Sequence, residues 1–154
     1  MAAAVYDRGM SESRLPRPAF DDVPAARRRN LAAVGAKDTA PELRVRRLLH
    51  RMGFRYRLHR RDLPGTPDIV LSSHEKIVEV RGCFWHQHPD PACRNAVAPK
   101  TRAAWWAEKL CRTVARDERN AAALRALGWS LLVVWECETA DEAGLSERLK
   151  AFLA

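Results

Sequence analysis

Asp68 and Glu79 are the two residues from which a chemistry can be argued first. Each sits on a short, apolar, partly β-branched segment, Asp68-Ile69-Val70-Leu71 and Lys76-Ile77-Val78-Glu79-Val80-Arg81. The two-residue period of a strand puts Glu79 and Arg81 on one face and turns Val78 and Val80 to the other. Two carboxylates and a guanidinium would then share a sheet face, and an apolar strand tolerates Glu79 only where a cation or a metal compensates it. Carboxylate oxygens suit hard Mg²⁺, and a carboxylate-held Mg²⁺ suits phosphodiester hydrolysis, in which phosphate is polarised and water activated. The rival reading is a plain Glu79–Arg81 ion pair on an edge strand. Arg81 can steady charge on a transition-state phosphate, but its high pKa bars it from acting as a base. His86, seven residues after Glu79 in a polar loop, is the group suited to accept or relay a proton. A satisfied loop histidine and a zinc ligand are its other readings.

A second constellation follows at once. Cys83, His88, Cys93 and Cys137 supply three thiols and an imidazole, the donor set of a closed structural zinc site. Cys137 lies far along the chain, at the end of the last expected strand, so the metal would staple the loop to the sheet. Cys111 and His86 compete as ligands; Cys111 is assigned to helix packing, and unmetallated buried thiols remain the alternative. Phe84, Trp85, Trp105 and Trp106 crowd the same loop and the start of the next helix. Exposed members could wedge between base pairs, at a cost smallest where a pair is mismatched; otherwise they pack.

These residues need elements to hold them. Thr39-x-x-Glu42 reads as a capping box with Pro41 in the first turn, opening a helix through Leu43, Leu48 and Met52 that stops at Gly53. Phe54, Tyr56 and Leu58 alternate with Arg55, Arg57 and Arg60, which predicts a strand with one basic face. The segments carrying Asp68 and Glu79 form a hairpin across Ser72-Ser73-His74-Glu75. Gly82 to Cys93 is a loop rich in Cys, His and Pro, of a length usually functional. Thr101 is expected to cap a long helix to Leu127, with Trp106, Leu110, Val114, Ala121 and Leu124 facing a core and Gly128 ending it. Trp129 to Trp135 is an apolar strand, and Thr139-x-x-Glu142 a second capping box opening a terminal helix. The order α, β, β, β, loop, α, β, α predicts an α/β fold with a mixed sheet flanked by helices, closed by a crossover helix. No strand-to-helix turn carries a glycine-rich phosphate loop, which argues against nucleotide-cofactor chemistry.

Charge is distributed unevenly. Residues 1–61 hold 15 Lys/Arg against 6 Asp/Glu, and residues 62–154 hold 12 against 13. Clustered cations point to a polyanion, through counterion release, and the bland alternative is a solvated arm and arginine-rich helix. Residues 1–36 are read as a mobile basic leader without regular structure, and residues 37–154 as the folded domain. At 154 residues the chain can bury a core without disulfides. No apolar run approaches the ~18 residues of a membrane span. Arg8, Glu12, Arg14 and Arg17 break any signal-peptide middle, so a reducing cytoplasm is expected.

Pro67-Asp68, ten intervening residues and Glu79-Val80-Arg81 resemble the PD-(D/E)xK nuclease motif, with arginine where lysine is usual. The wider pattern is more specific. Lys37-Asp38-Thr39-Ala40-Pro41-Glu42, Phe54-Arg55-Tyr56-Arg57-Leu58, Leu63-Pro64-Gly65-Thr66-Pro67-Asp68, Gly82-Cys83-Phe84-Trp85-His86, Lys100-Thr101-Arg102 and Gly128-Trp129 through Val133-Val134-Trp135-Glu136-Cys137 resemble the Vsr family, the very short patch repair DNA mismatch endonucleases, over about residues 37–137. The resemblance implies a restriction-endonuclease-like fold with a structural zinc loop, and a Mg²⁺-dependent nick beside the thymine of a T:G mismatch, the product of 5-methylcytosine deamination. It implies that Asp68 binds metal, that His86 transfers a proton, and that Glu42 and Asp117 are acidic active-site residues, Glu42 having its capping role as the alternative. It implies Cys83, His88, Cys93 and Cys137 as zinc ligands, Phe84, Trp85 and Trp106 as aromatics entering the DNA, and Lys109 as a basic residue beside it.

The chain departs from the family pattern twice. Glu79-Val80-Arg81 stands where the family has an apolar residue, one more residue and a histidine, so an active-site histidine is missing. Pro89-Asp90-Pro91-Ala92 lengthens the link to Cys93. The expectation is an active, monomeric, cytoplasmic and nucleoid-associated endonuclease on double-stranded DNA, with Glu79 an added ligand to Mg²⁺ beside Asp68. Mismatch-repair factors and a cytosine-5 methyltransferase are reasonable partners. The alternatives are a nuclease of the same fold without T:G selectivity, and a zinc-stapled lesion-binding protein whose catalysis Arg81 has impaired.

Overall fold

The computed structural model describes residue 16, residues 18–33, residue 35 and residues 37–154. It divides into two compact units, residues 1–33 and 34–154. In the first, Ala25–Ala33 forms helix α1, with the Arg28 N–H bonded to the Pro24 carbonyl at 3.1 Å. This corrects the expectation of an irregular leader there. Alanine and arginine are strong helix formers and proline suits a helix start, so local propensity suffices without an apolar period. Expectations for residues 1–15 lie outside the described residues.

The second unit opens on α2 (Ala40–Arg51). Thr39 caps it, its hydroxyl accepting the Glu42 N–H at 3.4 Å. At the other end the Gly53 N–H bonds His50 O and the Phe54 N–H bonds Leu49 O, with Gly53 at φ 88°. This paired closure needs a left-handed residue, which glycine supplies without strain. Four strands follow, β1 (Arg57–Leu58), β2 (Ile69–Leu71), β3 (Lys76–Arg81) and β4 (Ser130–Trp135), in that spatial order. The first two junctions are antiparallel, and β3 pairs with β4 in parallel. The long helix α3 (Ala103–Ala126) supplies the crossover that a parallel pair requires, and α4 (Glu142–Leu153) closes the chain.

Alternation along the strands sorts two apolar layers. Ile69, Leu71, Val78 and Val134 pack with Val45, Leu48 and Leu49 of α2 and Leu145, Leu149 and Leu153 of α4. Val70 and Ile77 pack the other face with Leu124 of α3. The sheet is therefore sandwiched between helices, each fully buried Leu or Ile contributing about 1.5–3 kcal/mol.

Three local expectations are corrected. The strand expected over residues 54–60 is limited to Arg57 and Leu58, both exposed, and His59 ends it by turning into the left-handed region at φ 47°. Thr101 does not cap α3; Arg102, itself left-handed, precedes the helix. Thr139 does not cap α4, because Glu136–Ala140 forms a 3₁₀ turn that delays the helix. Asp141 takes the cap, accepting the Gly144 N–H at 3.0 Å, and Thr139 is buried with its hydroxyl bonded to Glu136 O. Among the described residues, no helix is long and apolar enough to cross a membrane.

Candidate active site and thiol cluster

The ladder registers determine what gathers at one end of the sheet. Leu58 lies opposite Ile69, and Ile69 opposite Val78. Continued by one step past the ladders, these registers bring His59 to Asp68 and Asp68 to Glu79, whose charge acts on the Asp68 carboxyl. The His59 N–H closes the first pair on Asp68 O at 3.2 Å, and Glu79 in turn is paired with Val133. The two carboxylates foreseen from the strand pattern are therefore neighbours in one row.

Asp68 is set into this row by its own hydrogen bond, Oδ2 accepting the Val80 N–H at 2.9 Å. Burial pushes its carboxyl up to about 6, against that hydrogen bond, and the charges of Glu42 and Glu79 push the same way. A carboxyl so placed is short of positive charge, and the donor chemistry fits a hard divalent cation. Glu79 already holds a cation of its own. Arg81 reaches its Oε2 through Nη2 at 2.5 Å and Nε at 3.1 Å, both side chains largely buried.

Glu42 is 3% exposed, and its carboxylate serves Arg46 one turn along α2 and lies 3.2 Å from His59 Nε2. It does not return to the helix start as a full capping box would require. Arg46 is the hub of this corner. Nη1 binds Asp38 at 2.5 Å, and Nη2 binds Glu42 and lies 3.0 Å from His59 Nε2. Asp38, Glu42 and His59 have ligand atoms within 4.8 Å of one another, a spacing a metal could use. The Arg46 guanidinium already touches all three, so the cation of that cluster is arginine. Sequence reasoning missed Asp38, Arg46 and His59. The available signal was Arg46 one turn after Glu42, a pairing that compensates a buried acid.

On the loop after β3, His86 Nδ1 meets Asp117 Oδ2 of α3 at 2.5 Å. The carboxylate holds the Nδ1 proton, which leaves Nε2 as the ring atom open to accept another. The turn is fixed by the His86 N–H on Gly82 O at 3.1 Å.

Cys83, Cys93 and Cys137 bring their sulfurs within 4.8 Å of one another. Cys93 reaches the group despite the longer link. Burial, reinforced by the neighbouring thiols, pushes Cys83 up to about 12, and burial also raises Cys137. A soft or borderline cation would displace the thiol protons, and the donor set fits zinc. His88 stands outside this cluster: its Nδ1 accepts the Asp90 N–H at 3.3 Å and its ring meets the edge of Trp135 at 4.6 Å. Cys111 is exposed on α3, away from the group.

The aromatics gather as one body. Phe84 lies 4.9 Å from Trp85 and 5.3 Å from Trp106, and Trp105 is 4.9 Å from Trp106. Trp106 is buried, whereas Phe84, Trp85 and Trp105 are half-buried. Lys109 Nζ sits 4.9–5.4 Å from the rings of Trp85, Trp105 and Trp106, within cation–π reach of each.

Residues 20–92 match the family described as DNA mismatch endonuclease Vsr. The chain is 48% identical over 130 residues to the type II nicking enzyme V.XorIIP of Xanthomonas oryzae, covering 84% of this chain and 93% of that one. It is 37% identical over 134 residues to the DNA mismatch endonuclease Vsr of Escherichia coli, covering 84% of each. Among solved structures, the catalytic domain of the homing endonuclease I-Bth0305I superposes with a TM-score of 0.50 at 20% identity, over 75% of this chain and 94% of that one. That likeness extends to the fold.

Proposed function

Given that this chain belongs to the Vsr family of DNA mismatch endonucleases, we propose that it nicks one strand of double-stranded DNA beside the thymine of a T:G mismatch, in a Mg²⁺-dependent hydrolysis that starts very short patch repair. The observation that carries this reading is the gathering of Asp68 and Glu79 with Glu42 close by, where burial, with the charges of Glu42 and Glu79 adding to it, pushes the Asp68 carboxyl up to about 6. Asp68 and Glu79 would hold the Mg²⁺, which when bound supplies a Lewis acid for the phosphate. Glu42 adds negative charge behind Asp68.

The remaining chemistry falls to side chains. His86, with Nδ1 fixed by Asp117, takes a proton at Nε2 from the water whose oxygen attacks phosphorus; one P–O bond forms, the bond to the leaving sugar oxygen breaks, and that oxygen takes a proton from a second water, whose hydroxide recovers the proton held by His86. Arg81 turns its guanidinium to the charge growing on the phosphate oxygens. Phe84, Trp85 and Trp106 wedge into the stack at the mismatch, where unstacking costs least, and Lys109 passes from their rings to a phosphate. Cys83, Cys93 and Cys137, with His88 as the fourth donor, would hold zinc, which when bound would supply a staple between the loop and the end of β4. The enzyme works as a monomer in the cytoplasm, at the nucleoid. A cytosine-5 methyltransferase and mismatch-repair factors act on the same DNA.

One observation favours a second reading. Arg81 spends two N–H groups on Glu79, an arrangement that suits a lesion-binding protein with weakened catalysis. Matched and T:G duplexes incubated with Mg²⁺ or with EDTA, scored for nicks and for binding, separate the readings. T:G-selective, Mg²⁺-dependent nicking is expected. Indiscriminate cutting removes the mismatch specificity, and T:G binding without nicks transfers the case to the second reading.

A further inference from the structure

We infer that His59 is a positioning residue of the nuclease centre, holding the free oxygen of Asp68 toward the cation that Asp68 would bind; this rests on the proposed nuclease function. Asp68 has two oxygens, and among the described residues one of them is fixed, Oδ2 by the Val80 N–H at 2.9 Å. Oδ1 faces His59 Nδ1 at 3.9 Å, an electrostatic contact and longer than a hydrogen bond. What Nδ1 presents there is decided on the far side of the ring. Nε2 lies 3.0 Å from Arg46 Nη2 and 3.2 Å from Glu42 Oε1; arginine can only donate, and where it donates to Nε2, the nearer of the two contacts, the ring carries its proton on Nδ1, toward Asp68.

His59 is itself unusually constrained. Its backbone is left-handed at φ 47°, a conformation a histidine rarely adopts without cause. Its N–H is spent on Asp68 O, and its ring is 15% exposed. The left-handed turn takes the ring out of the strand alternation and over to α2, where Arg46 is anchored by Glu42, by Asp38 and through its carbonyl by the Tyr56 hydroxyl at 3.0 Å. A rigid path therefore runs from α2 through one imidazole to the carboxylate at the start of β2. Residues that orient a metal-binding carboxylate typically affect metal affinity or rate by about 10–100-fold while leaving the larger ligand's binding alone.

The test uses the full zinc-loaded chain. Mn²⁺ binding to DNA-free protein is followed by electron paramagnetic resonance in wild type, His59→Ala, His59→Gln and Asp68→Ala. Glutamine can accept from Arg46 with its carbonyl and donate toward Asp68 with its amide, so it keeps both contacts. His59→Ala is expected to raise the half-saturating Mn²⁺ by about 10-fold and to slow single-turnover nicking of a T:G duplex by a similar factor. Duplex Kd should stay within about twofold, and His59→Gln should recover both readouts to within about threefold. A change below threefold in His59→Ala, in either readout, overturns the inference, as does a His59→Gln variant as impaired as alanine. Should wild type bind Mn²⁺ through Asp68 yet nick no duplex, the nuclease reading fails while the Mn²⁺ comparison alone decides the role of His59. Mn²⁺ binding that survives intact in Asp68→Ala overturns both.

Discussion

Arg81 ends β3 and Cys83 follows two residues later, yet the two sites they belong to are built on opposite principles. In the carboxylate row nearly every charge meets a donor from the fold: Asp68 has the Val80 N–H, Glu42 has Arg46, and Glu79 has Arg81. The thiols of Cys83, Cys93 and Cys137 meet mainly one another, and burial drives Cys83 up to about 12. The first region is assembled by hydrogen bonds and arginines before any divalent ion arrives; the second sets thiol against thiol, with the Cys83 N–H on Glu136 Oε2 at 3.3 Å, and a metal would bind its members together. A metal at the first would therefore act on substrate, and a metal at the second would act on the fold.

The largest effect should come from removing the one carboxylate in the row without its own arginine. Asp68→Ala is expected to lower Mg²⁺-dependent nicking by about 10³-fold or more, the scale of losing a principal transition-state contribution, while duplex Kd and thermal midpoint change little. A melting temperature that collapses instead would make Asp68 an architectural residue and erase the contrast. Cys83→Ser should do the reverse. With one thiol gone the zinc staple cannot close, and a loss of about 3–4 kcal/mol, a melting-temperature drop on the order of 10 °C, should appear before any specific effect on chemistry. Zinc content measured by atomic absorption should fall with it. A variant that loses zinc and melts as wild type does would show that the loop needs no metal.

Much of this division was legible in the chain. The hairpin bearing Asp68 and Glu79 and the crossover helix with Trp106, Leu110, Ala121 and Leu124 buried follow from local period, and Cys83, Cys93 and Cys137 from residue type, though His88, expected with them, stands apart. What stayed hidden depended on backbone geometry that no period reports. One left-handed residue, His59, ends at Leu58 a strand expected to run to residue 60 and sends an imidazole to α2. A 3₁₀ turn after β4 moves a helix cap from Thr139 to Asp141. Glu42 illustrates the same limit. Thr39-x-x-Glu42 correctly marks a helix start, but whether Glu42 folds back to cap it or pairs with Arg46 is decided by burial, which a single sequence does not display.

The finest test of the comparison is thermodynamic. The Asp68 carboxyl moves from 3.8 to about 6 on folding, chiefly through burial. Because its native pKa is the higher one, the folded state binds the proton more tightly than the unfolded chain. The associated stability is fully present below about pH 4 and drains away as pH rises through about 6. The shift is worth roughly 3 kcal/mol at most. Urea denaturation without added divalent ion should show the stability of wild type relative to Asp68→Asn falling by about that amount between pH 4 and 7. Saturating Mg²⁺ should abolish the slope, since the cation takes over from the proton. Cys83, pushed up to about 12, stays protonated across this whole interval, so it adds no slope of its own, and the comparison with Asp68→Asn isolates Asp68. A flat difference would mean that Val80 and His59 already satisfy the charge, and that the carboxylate row is no more in need of a cation than any ion-paired surface.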